Sequence, residues 1–89
     1  MRKEKFTQLP WRIEEFRDFI SIMAGYSEIC YIDGDLNCDN VQANARLIAA
    51  APEMYELLAL LDNYYAVRGE SNRVTKTISQ VLKKVRGEE

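Results

Sequence analysis

The sequence predicts an α+β fold, a small antiparallel sheet of about three strands packed against two to three C-terminal helices. Three observations point there. Segments rich in β-branched and aromatic residues are confined to positions 11–32, and the chain from Val41 onward is rich in alanine and leucine at helical spacing. Between them lies a polar loop, Asp33-Gly34-Asp35-Leu36-Asn37-Cys38-Asp39-Asn40, which suits a sheet-to-helix crossing. Neither half can bury its apolar side alone, so each is expected to cover the other.

Residues 1–9 read as a solvated leader, 10–86 as a single α+β domain and 87–89 as a tail. Pro10 stands at a strand start, where its missing N–H matters least. Trp11 to Phe16 mostly alternates apolar with charged residues, predicting a first strand, with a phase slip at Glu15-Phe16. Phe19 to Ala24 and Glu28 to Ile32 form a predicted hairpin across Gly25-Tyr26-Ser27. A competing pattern exists: Ile13, Phe16, Phe19 or Ile20, and Met23 also fit helical spacing. Asp39 or Asn40 is placed to cap a helix over Val41 to Ala50. Pro52 disfavours helical geometry at Ala51 yet suits a first turn, so a second helix is expected to start there, with Glu53 and Glu56 at its positive dipole end. Met54, Leu57, Leu58 and Leu61 give that helix an apolar stripe expected to be core, extended by Tyr64 or Tyr65 and stopped at Gly69. A last helix, capped near Ser71 or Asn72, gathers Val74, Ile78, Val81, Leu82 and Val85 on one side and Lys76, Lys83, Lys84 and Arg86 elsewhere.

Composition narrows the chemistry. The 89 residues contain no histidine, which removes the commonest general base and the commonest zinc ligand. A chain of this length buries only roughly 60 to 65% of its unfolded surface, leaving little room for a deep cleft. The net charge of −2 supplies no overall field for nucleic acid. No apolar run approaches the ~20 residues of a membrane helix, and the N-terminus lacks a signal-peptide core, so a cytoplasmic protein without a membrane partner is expected. Cys30 and Cys38 lack redox-motif spacing, and reduced thiols are the cytosolic default.

The candidate sites are few. Asp33-x-Asp35-x-Asn37 opens like a calcium loop, but Cys38 occupies the glycine position and Asn44 the bidentate glutamate position, so capping is the stronger reading and no metal or cofactor is expected. The pairs Glu14–Glu15 and Glu53–Glu56 read as solvated acids, and no catalytic residue is assigned. Asp33, Asp35 and Asp39 offer an acidic contact surface. Tyr55, Tyr64 and Tyr65, near Arg68 and Arg73, offer an aromatic and cationic one.

The run Asn44-Ala45-Arg46-Leu47-Ile48-Ala49-Ala50-Ala51-Pro52-Glu53-Met54, with Pro10-Trp11 upstream, resembles a family of small tailed-phage and prophage proteins over about Pro10 to Leu61. Such proteins carry a Pro-Trp start and the same helical decapeptide; Tyr55, where they often have an aliphatic residue, departs from the pattern. The resemblance implies an origin in a phage accessory region and no mechanism. Small residues at Ala45, Ala49 and Ala50 are a sufficient packing reason for the motif. Together these readings lead to a non-enzymatic phage protein that binds a host protein, a bacterial defence complex such as a CRISPR effector above all. A nucleic-acid or nucleotide binder using Arg68, Arg73, Lys76, Lys83 and Lys84 is the alternative. A structural phage protein or a homo-oligomer is a further one.

Overall fold

Strand β1 (Trp11–Glu15) pairs antiparallel with β2 (Phe19–Ala24), which pairs antiparallel with β3 (Ser27–Asp33), giving the sheet order β1-β2-β3 in a computed structural model that describes residues 6–8, 10–34 and 38–88. The competing helix over Ile13 to Met23 does not form. Cross-strand pairing explains the outcome, because it aligns Trp11 with Ala24 and Ile13 with Ile22 and so puts one apolar row on one face. Two helices follow, α1 (Asp39–Val67) and α2 (Arg73–Arg86), so the chain is α+β. It divides into two compact units, Phe6–Pro52 and Glu53–Glu89.

In the first unit, Ile20, Ile22 and Ala24 alternate onto the inner face of β2 and are essentially sealed from solvent. Ala45 of α1, equally buried, meets Ile20 and Ile22, and Trp11, Ile13, Ile32, Val41 and Ile48 close around them. A small side chain at position 45 is what lets the helix approach the sheet closely. The β2–β3 register shifts between Ile22 and Met23, with Ile22 opposite Cys30 and Met23 opposite Glu28, so Ile29 is an extra residue. This bulge lets consecutive Ile29 and Cys30 both pack on the core, which strict alternation would forbid. Gly25, at φ 62, supplies the first turn position of the two-residue hairpin loop. Within the segment expected as leader, Phe6 is half-buried edge-on to Trp11 at 6.4 Å, and the Trp11 indole N–H donates to the Thr7 carbonyl at 3.2 Å.

The expectation of two helices parted at Pro52 is corrected: α1 is continuous, with Pro52 inside it. Proline removes the bond to the Ile48 carbonyl and costs about 3 kcal/mol in a helix interior. Packing on both sides outweighs that cost, with Val41, Ala45, Ile48 and Ala49 held in the first unit and Tyr55 buried in the second. The cap is corrected too. The Gln42 N–H donates to the Cys38 carbonyl at 3.3 Å, so Asp39 already lies in the first turn, where its carboxylate faces the positive dipole end.

In the second unit α1 ends as expected at Gly69 (φ 69), whose N–H donates to the Ala66 carbonyl while that of Glu70 donates to Tyr65, the double closure of a Schellman end. Asn72 caps α2 reciprocally: its Oδ1 accepts from the Thr75 N–H at 3.0 Å, and its own N–H donates to Thr75 Oγ1 at 2.8 Å. Replacing Asn72 by alanine is expected to cost about 1 kcal/mol and lower the melting temperature by roughly 4 to 8 °C, with Asn72→Asp retaining most of the stability. Thermal melts followed by circular dichroism measure both.

Candidate functional site

The outer face of the sheet carries an aromatic cluster that sequence reasoning took only as strand-forming residues. Alternation places Phe19, Ser21 and Met23 opposite to the core side, and pairing sets Tyr31 against Ser21 and Asp33 against Phe19. Phe16 stacks on Phe19 with centroids 4.7 Å apart, and Tyr31 meets Phe19 edge-on at 5.9 Å. Phe16 and Tyr31 remain 43% and 57% exposed, so the cluster presents rings to solvent rather than hiding them. Ser21 is nevertheless buried within this face. Its hydroxyl donates to the Glu28 carboxylate and lies 3.4 Å from Met23 Sδ. Polar groups rim the rings: Arg12 donates to Glu14 at 2.6 Å and to the Gly25 carbonyl at 2.8 Å. Tyr26, at the hairpin tip, is fully exposed. The signal that would have found this face is the hairpin register itself, which aligns Phe19 and Tyr31 on the side away from the isoleucines.

The predicted acidic surface is present in part. Asp33 ends β3 and Asp39 opens α1, both exposed, while Asp35 and the centre of the calcium-like loop lie outside the described residues. Among the described residues no cluster of three or more metal-ligating side chains occurs. Cys30 is half-buried in the core and Cys38 exposed, both as free thiols.

The predicted aromatic and cationic surface is assembled at the end of α1. Tyr64 and Tyr65 meet edge-on at 5.4 Å, and the Arg68 guanidinium sits over the Tyr64 ring at 5.3 Å while donating from Nε to Glu70 at 2.8 Å. Tyr64 is half-exposed; Tyr65 turns toward α2 and lines, with Asp62, Glu70, Thr75 and Lys76, an open depression of about 250 Å³. Arg73 is exposed at the start of α2. In the first unit Ile13, Glu15, Ile20, Gln42 and Arg46 line a second depression of about 210 Å³. Both are smaller than the usual ligand pocket of roughly 300 to 1,000 Å³.

Two expectations about the helices are corrected. Met54 and Leu57, read as core, are 48% and 58% exposed, and the buried residue of that segment is Tyr55, read with Tyr64 and Tyr65 as a surface contact. Arg86, expected away from the apolar side of the last helix, lies over the Tyr55 ring at 5.6 Å and donates from Nε to its hydroxyl at 2.8 Å. Arginine's long stem and planar head allow it to serve as packing and donor at once.

Fold and surface thus define a small α+β chain with aromatic and apolar side chains presented outward from a sheet and a helix pair. It belongs to the family of Salmonella phage P22 protein Y8K6, whose sequence model matches residues 1–89. No curated protein and no solved structure matches it. Among the described residues no helix is long and apolar enough to cross a membrane.

Proposed function

We propose that this phage protein is a non-enzymatic accessory factor that binds a host protein and blocks or redirects it, with a bacterial defence complex, a CRISPR effector first among them, as its target in the host cytoplasm. The observation that carries the reading is the Phe16–Phe19–Tyr31 cluster, aromatic area held rigid on a sheet and half open to water. Aromatic anchors with few rotatable bonds are the residues that dominate protein contacts. β3 is an edge strand of the sheet, which adds main-chain groups to which a partner strand can pair. Exposed Asp33 at its end and exposed Asp39 at the start of α1 support a contact with a surface built for phosphates.

The test is phage plating on cells with an active CRISPR system, with and without the chain, together with binding of the purified effector. Protection and complex formation are expected, and Tyr31→Ala is expected to weaken binding about 30-fold, some 2 kcal/mol. No protection and no complex with any defence assembly of the host would sink the reading. A second reading has its own support, since α2 carries five basic residues and no acidic one. Retention on DNA or RNA that falls steeply with added salt would favour it.

A further inference from the structure

Among the described residues, the second unit leaves an apolar face without a cover. Tyr55 of α1 is buried against Arg86 of α2, and Tyr65 lies with Thr75, so the two helices run antiparallel. At 100° per residue, Met54, Leu61 and Leu57 sit about 100°, 120° and 160° from buried Tyr55, and Val85, Val74 and Val81 sit about 20°, 40° and 60° from buried Ile78 in the same rotational sense. In an antiparallel pair those two offsets turn to the same side. Of these six residues all but the half-buried Leu61 are between 39% and 61% exposed, together on the order of 500 Å² of apolar surface, large for a lone soluble chain.

Charge identifies the occupant. From Glu53 to Val67 α1 carries Glu53, Glu56 and Asp62 and no basic residue, whereas α2 carries Arg73, Lys76, Lys83, Lys84 and Arg86 and no acidic one. Glu53 is exposed at the rim of the apolar face on one helix, and Lys84 and Arg73 at its rim on the other. A two-fold axis parallel to the helices stacks α1 of one copy on α2 of a second, brings Glu53 beside Lys84 of the other copy, and repeats the contact by symmetry. We propose that this face pairs two copies of the chain into a four-helix arrangement with α1 on the second copy's α2. The proposal is independent of the sheet-face reading.

Sedimentation of the full chain over a wide concentration series tests it. Twice the chain mass is expected at high concentration, with Leu57→Glu and Val81→Glu each weakening association ~10-fold or more. Lys84→Glu is expected to weaken it several-fold, and Glu53→Lys added to Lys84→Glu to restore it; circular dichroism confirms that each variant stays folded. A chain that is monomeric throughout, or a dimer indifferent to Leu57→Glu and Val81→Glu, overturns the proposal. A dimer that the double reversal fails to restore overturns the placement of α1 on α2.

Discussion

Ile22→Ala is expected to lower the stability of the first unit by about 3 kcal/mol, the middle of the range for emptying a sealed aliphatic site. Ile22 is 0% exposed on the central strand, opposite Ile13 and Cys30, and contacts the core beneath Ala45. Relaxation cannot refill the space, because the residue beneath is already an alanine and the strands are tied on both sides. A domain of this size holds roughly 5 to 10 kcal/mol in all, so the loss removes a large part of it. Trp11, the single tryptophan, packs on the same core, and its fluorescence in a urea titration reports this unit directly. Ile22→Val should cost about 1 kcal/mol and Tyr26→Ala close to nothing, since Tyr26 is bare to solvent. An unchanged midpoint for Ile22→Ala would show that the core is not where these contacts place it.

The sheet was legible because two signals agreed: β-branched and aromatic composition over positions 11–32, and a glycine at the one turn that needs it. The bulge at Ile29 was not, since an extra residue leaves no mark in composition. Helix ends at Gly69 and Asn72 were legible through cap chemistry, which is local. The inward side of α1 was not. Its apolar residues surround the helix, so three- and four-residue spacing fits several stripes equally, and the buried one contains Tyr55 where Met54 and Leu57 were expected. The same ambiguity hid the uncovered face of the helix pair. Leu57, Leu60, Val67 and Val74 are each more than half exposed, so the helix pair does not spend all its apolar residues on its own core. Of the candidate contacts, Tyr64, Tyr65 and Arg68 were found from sequence because they are neighbours along one helix turn. Phe16, Phe19 and Tyr31 come together only through strand pairing.

Gly34→Ala is expected to cost about 2 kcal/mol, from two sources that a double variant separates. Gly34 closes β3 at φ 148, a region that side-chain-bearing residues avoid, and its N–H donates to the Asp18 carbonyl at 3.2 Å. A Cβ built there would lie 2.6 Å from Val41 Cγ2, inside contact distance, and Val41 is committed to the core through the first turns of α1. The clash therefore falls on a side chain that cannot swing away without opening the packing around Ile20 and Ala45. Val41→Ala alone is expected to cost about 1 kcal/mol for the methyls it loses. In the Gly34→Ala background it also removes the clash, so the double variant should cost about 1 kcal/mol less than the sum of the singles. Urea titrations of the four proteins measure that difference. Strict additivity would assign the whole cost to backbone strain at position 34 and none to the close approach of the β3 end to α1. The distinction bears on the proposed binding, because Tyr31 and Asp33 on the strand precede this turn and Asp39 follows it. A variant that relaxes the turn is expected to weaken partner binding even where the chain stays folded.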